Sequence, residues 1–306
     1  MIRVLNVLAS LLIFTLCLEL AVFLYPPLYV LGLALVGHSP LCSPLQAFQG
    51  AMRYQHFRKD DRITKGSHLV EKDKAGLHLW ETPRGRYWIP QGSDDVLLIL
   101  LSQEESRIYG FDQETSVHNG DIVVDCGAHI GVFTREALSL GAKLVVAVEP
   151  APENLECLRR NFASEIAAGR VIVYPKGVWD REEVLTLYTY PGNSAADGFV
   201  IFNQAIAERK HKVALTTIDN LVQELKLNRV NFIKMDIKGS VLRALNGAKN
   251  TLSDHRPHLA ISTEEEPEGP ARIAAHILGL PIGYRMRCGT CAINNHTVAP
   301  NELLFF

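Results

Sequence analysis

Cysteine is scarce in this chain of 306 residues, and neither sign of charge is in marked excess. The six cysteines, at positions 17, 42, 126, 157, 288 and 291, are too few and too scattered for a disulfide scaffold. Cys126 lies in an apolar strand pattern where a reduced, buried thiol is expected, which predicts a reducing compartment. Lys and Arg number 31 against 33 Asp and Glu, interspersed, so the chain has no basic footprint for nucleic acid. No internal repeat or low-complexity tract is visible. The dinucleotide fingerprint G-x-G-x-x-G is missing as well: begun at Gly127, it would need glycine where His129 and Val132 stand.

A long apolar run is present at the N-terminus. Residues 4–25 are apolar apart from Asn6, Ser10, Thr15 and one acid, Glu19, and about 20 such residues cross a bilayer core. A cleaved signal peptide would have a shorter apolar core and a small-residue cleavage site. Residues 1–37 therefore read as a retained membrane anchor. After Pro26-Pro27 the apolar character continues to Gly37, as a re-entrant or interfacial piece or a long tilted anchor. Arg53, Arg58, Lys59, Arg62 and Lys65 follow the run, whereas only Arg3 and the terminal amine precede it, which predicts a cytoplasmic catalytic part. Residues 38–95 read as a juxtamembrane connecting region, with two short strands around a Pro-Arg-Gly turn in "LHLWETPRGRYWIP".

From residue 96 to 306 strands alternate with helices. "DIVVDC", "KLVVAVE", "RVIVYPKGVW", "VNFIKMDI" and "PHLAIST" are near-continuous apolar strands separated by helical patterns. Such alternation predicts a doubly wound, mostly parallel α/β sheet with helices on both faces. Ligands of these sheets bind beyond the carboxyl ends of the strands. Asp125, Glu149, Asp180 and Asp236 are acids at four of those ends. Gly127 permits a tight turn and Gly131 a close helix, while Glu149 can accept hydrogen bonds from ribose hydroxyls. Asp125 would repel a pyrophosphate and welcome an ammonium group. Together these features favour S-adenosylmethionine.

The ordered blocks "VVDCGAHIGVFT", "VVAVEPAPENLECLRRNF", "VIVYPKGVWD", "TTIDNLVQEL" and "NFIKMDIKGSVLRALNGAKNTL" resemble the FkbM-type S-adenosylmethionine-dependent methyltransferases over residues 85–306. The resemblance implies a seven-stranded, Rossmann-like class I fold. It also implies an O-methyltransferase acting on a hydroxyl of a glycan, glycolipid or similar small-molecule or lipid-linked acceptor. On it, Asp125, Gly127, Ala128, His129 and Gly131 form the methionine-end loop, Glu149 with Pro150 the ribose clamp, and Val178, Trp179 and Asp180 the adenine edge. Asp236 is the candidate base or orienter, with Lys234 and Lys238 as its electrostatic partners. Asn193 and Ser194, in the polar loop "GNSAADG", are candidate substrate contacts. The family pattern expects glutamates where Lys238 and Val241 stand, so a cofactor-binding protein with weak catalysis is the alternative. Cys288 and Cys291 form a single C-x-x-C, with His296 nearby, and read as ordinary thiols rather than as a metal site. The acids at 264–266 and 268 read as a helix N-terminal cluster, and His255 and His258 as surface residues.

Overall fold

A computed structural model describes residues 25–306 apart from 60, 191, 200–208 and 265–268. Helices Pro26–Leu35 (α1), Pro44–Lys59 (α2) and Arg62–Gly66 (α3) precede an antiparallel sheet of His68–Lys72 (β1), Leu77–Thr82 (β2) and Gly85–Pro90 (β3). Next come Asp94–Glu105 (α4), Ile122–Cys126 (β4), Val132–Ser139 (α5), Leu144–Val148 (β5), Pro152–Asn161 (α6), Ala163–Ala167 (α7) and Val171–Tyr174 (β6). Gly177–Val178 (β7), Glu183–Thr189 (β8) and Arg209–Thr216 (β9) make a small side sheet. The chain continues through Ile218–Glu224 (α8), Phe232–Met235 (β10), Val241–Asn246 (α9), Lys249–His255 (α10), His258–Ser262 (β11) and Gly269–Leu278 (α11). It closes with Met286–Cys288 (β12), Cys291–Asn294 (β13), Thr297–Pro300 (β14) and Glu302–Phe305 (β15).

The main sheet has seven strands in the order β12-β15-β11-β10-β4-β5-β6. The run from β11 to β6 is parallel, and β15 lies antiparallel between β11 and β12. This is the class I methyltransferase-like α/β architecture. Successive residues of each strand face opposite helical layers, which is why the strands read as unbroken apolar runs. Val124, Val146, Ile233 and Ile261 enter one core cluster, whereas Val123, Val145, Phe232 and Ala260 enter another on the opposite face. Each fully buried aliphatic side chain contributes about 1.5–3 kcal/mol. Strand order reverses between β4 and β10, and that switch point is where the carboxyl ends open a crevice.

Several sequence expectations can be set beside the structure here. Among the described residues no helix is long and apolar enough to cross a membrane, and residues 4–24 of the apolar run lie outside them. Residues 26–35 fold as α1, whose Pro27, Val30 and Ala34 are buried against the domain. Of the basic residues that follow the apolar run, Arg53 is engaged within the domain: its Nη2 donates to the carbonyls of Cys288 and Gly289, and its guanidinium stacks on Phe111. Cys42 and Cys288 are joined as a disulfide, while Cys126, Cys157 and Cys291 are buried free thiols. Disulfides persist in oxidising surroundings, so this bond counts against the reducing compartment read from the sparse cysteines.

Candidate active site

The turn after β4 is dictated by close approach. Gly127 has φ +76°, and a Cβ there would sit 2.2 Å from the Asp236 carbonyl oxygen; at Gly131, with φ +93°, it would sit 2.1 Å from the Phe162 ring. Neither position tolerates a side chain, so β4 can turn directly under β10 and into α5. The amides of Gly127 and Ala128 both donate to the Val148 carbonyl, fixing the loop against the end of β5.

The loop forms one wall of a cleft at the carboxyl ends of the parallel strands. Ala128, His129, Glu149, Pro150, Val178, Lys234, Asp236, Lys238 and Ser194 all line it with Gly127. Five of the expected residues do not: Asp125, Gly131, Trp179, Asp180 and Asn193. Asp125 is fully buried beneath the loop, with Lys234 Nζ 3.1 Å from Oδ1 and the Thr134 hydroxyl donating to Oδ2 at 2.7 Å. Its carboxylate is matched by Lys234 inside the protein. Gly131 packs on α6, and Asp180 turns outward to Arg243 at 2.6 Å, with that guanidinium stacked on Trp179. Of the proposed adenine edge, only Val178 faces the cleft. Asn193 lies in an adjoining cleft that shares Tyr109, Asp236 and Lys238.

Glu149 takes two backbone donors, the His129 amide on Oε2 and the Ala151 amide on Oε1, each at 2.8 Å. Burial outweighs these bonds and pushes its carboxyl up to about 7. Burial likewise pushes His129 down to about 3, so its ring is neutral. His129 Nε2 lies 2.7 Å from Ser194 Oγ, tying the loop to the 194–199 segment, while Nδ1 has no partner among the described residues. Asn154 Oδ1 is similarly unpartnered on the cleft wall. Buried polar atoms left without partners on a cleft wall are suited to a polar ligand.

Across the cleft, Tyr109 donates its hydroxyl to Asp236 Oδ2 at 3.0 Å, and Lys238 Nζ lies 3.4 Å from Oδ1. Burial works against the charge on Asp236, but Lys238, Lys234 and the Tyr109 hydrogen bond outweigh it and hold the carboxyl down at about 2. Lys234, fully buried, donates to the Gly127 carbonyl at 2.7 Å; burial opposes its charge, yet Asp125 and Asp236 keep its pKa raised. Glu104 on α4 lines the same cleft, and burial, reinforced by Glu136, pushes it up to about 8. A cationic ligand group beside Glu104 would relieve that penalty, the part first assigned to Asp125.

A methyltransferase FkbM domain matches residues 125–281, just over half of the chain. The chain belongs to the FkbM methyltransferase family. It is similar to the hexuronic acid methyltransferase AglP of Haloferax volcanii, at 26% identity over 162 residues, covering 53% of this chain and 59% of that protein. It is also similar to the AMB antimetabolite synthetase AmbE of Pseudomonas aeruginosa, at 23% identity over 185 residues, 48% of this chain and 8% of that protein. The chain thus spans less than two thirds of either relative. Among solved structures, an FkbM methyltransferase from Methylobacillus flagellatus aligns with a TM-score of 0.46 and 22% identity, covering 68% of this chain and 53% of that one.

In this member of the family the sequence pattern missed Glu104, Tyr109, Asn154 and Asp197, all on the cleft. Asn154 sits within the quoted block "VVAVEPAPENLECLRRNF" and Asp197 within the quoted loop "GNSAADG", and both could have been singled out there; Glu104 and Tyr109 carry no local signal, because tertiary packing alone brings them over the strand ends. Among the described residues no three His, Cys, Asp or Glu side chains come together as a metal-ligand set.

Proposed function

We propose that the protein is an S-adenosylmethionine-dependent O-methyltransferase for a hydroxyl of a glycan, glycolipid or similar acceptor. The observation that carries this is the meeting of two clefts at Asp236: one closed in by His129, Glu149 and Asn154, the other open beyond Tyr109 and Lys238. The donor set fits the cofactor, with Glu149 and Asn154 for ribose hydroxyls and Glu104 for the ammonium. When bound, S-adenosylmethionine would supply an electrophilic methyl group. The chain's own part is to hold the acceptor oxygen in line and to exclude water. Asp236, pinned by Tyr109 and Lys238, is too weak a base for neutral pH and serves instead to orient the acceptor hydroxyl and to balance nearby positive charge. Lys238 is therefore a working partner of Asp236 in this reading. The glycan class is supported by the hexuronic acid methyltransferase relative.

Residues 4–25 support a membrane tether, which would suit a lipid-linked acceptor. The Cys42–Cys288 disulfide supports an oxidising compartment for the catalytic part, against the cytoplasmic side that the basic residues favour. Turnover tests the function: membrane lipid and glycan extracts incubated with enzyme and cofactor should contain a species heavier by one methylene. Cofactor binding without any such product across all extracts would support the alternative, a binding protein with little catalysis.

A further inference from the structure

The cleft beyond Asp236 has a floor that the methyltransfer chemistry does not use. β15 runs antiparallel to its neighbours, so its first residue, Glu302, emerges at the carboxyl edge of the parallel strands, paired in register with Ser262. Both side chains line the adjoining cleft with Asn193, Tyr109, Asp236 and Lys238. Glu302 is only 4% exposed, and burial pushes its carboxyl up to about 8. Placing an acid here costs stability unless something is gained by it.

Its placement is built. Oε2 accepts from the Thr290 amide at 2.7 Å and from the Thr290 hydroxyl at 2.8 Å. The carboxylate lies so close over Gly289 that a Cβ there would be 2.5 Å from Oε2. Arg53 holds the carbonyls of Cys288 and Gly289, and the Cys42–Cys288 disulfide ties the same turn to the N-terminal helices. Both Thr290 bonds end on one carboxylate oxygen.

Resting on the methyltransferase reading above, we propose that Glu302 is the acceptor-recognition acid of this cleft: Oε2 stays on Thr290 while Oε1 hydrogen-bonds a hydroxyl of a polyhydroxylated acceptor, next to the one presented to Asp236. The side chain binds the acceptor and takes no part in the bond-making step. Ser262 and Asn193 supply neighbouring hydrogen-bonding groups, as sugar recognition requires several at once. The turn at Gly289 and Thr290 is the positioning device.

The test uses full-length protein in detergent, first titrated with S-adenosylhomocysteine, which checks the cofactor reading separately. The loaded protein is then titrated with methyl glycosides of glucose, galactose, mannose and rhamnose. At least one glycoside should bind the wild type, and hydrogen exchange should slow in the peptide spanning residues 288–304. Glu302→Leu should weaken that glycoside at least about tenfold and leave S-adenosylhomocysteine within about twofold, whereas Glu302→Gln, which keeps a donor and an acceptor, should stay within about threefold of wild type. Absence of glycoside binding, absence of protection at 288–304 in the wild type, or equal loss of both ligands in Glu302→Leu would overturn the proposal.

Discussion

Lys238 sits against Asp236, its Nζ 3.4 Å from Oδ1, at the junction of the two clefts. A lysine where the family pattern expects glutamate is thus matched by contact with the acid it follows. Asp236→Asn removes the charge and leaves the shape, and is expected to lower turnover about 100-fold while cofactor affinity changes little. Equal formation of S-adenosylhomocysteine by both proteins would remove Asp236 from the mechanism.

Restoring the family residue with Lys238→Glu places a second carboxylate beside Asp236. Like charges cannot both ionise at low cost, so the Asp236 carboxyl should rise from about 2 and turnover should fall at least about tenfold. A pH–rate profile checks it: the variant should acquire an acid limb that the wild type lacks above about pH 4. A variant more active than wild type would refute the assigned role of Lys238.

Asp125 and Lys234 form a buried pair under the loop. Removing one partner strands the other charge, so Lys234→Met should cost about 3–5 kcal/mol of stability. Urea unfolding measures it. A loss below about 1 kcal/mol would show that the pair is not the loop's internal support.

Glu104, Glu149, Asp197 and Glu302 all carry carboxyls raised by burial, to between about 7 and about 8. A raised carboxyl means the folded state holds more protons than the unfolded chain, so the stability these groups contribute is full below about pH 4 and is lost progressively from there until pH has passed the folded values of about 7 to about 8. The melting temperature of the ligand-free protein should therefore fall across that window. Cofactor affinity should move the other way, rising as Glu149 ionises near pH 7 to accept ribose hydroxyls, and Glu149→Gln should abolish that rise and weaken binding about tenfold or more.

The sheet was legible because strands buried on both faces must be apolar at every position, and the site's strand-end positions follow from that topology. Asp125 was legible as a residue but not in its contacts, since a pattern cannot show which way a side chain points: here it points inward to Lys234. The Cys42–Cys288 bond, 246 residues apart, leaves no trace in local spacing. Glu302 escaped notice because its position at the edge depends on β15 running against its neighbours.

The disulfide closes a long loop and should stabilise the fold by about 2–5 kcal/mol. Thiol alkylation of the denatured protein before and after reduction should differ by two groups. No difference would return the catalytic part to the reducing compartment that the sequence suggested.

Calorimetric titration of the full-length protein with S-adenosylmethionine, with NAD as control, tests the central claim most directly. The account requires one-to-one binding of S-adenosylmethionine, displaceable by S-adenosylhomocysteine and weakened in Glu149→Gln, and no heat from NAD. No binding at millimolar S-adenosylmethionine, or comparable binding of NAD, would contradict it.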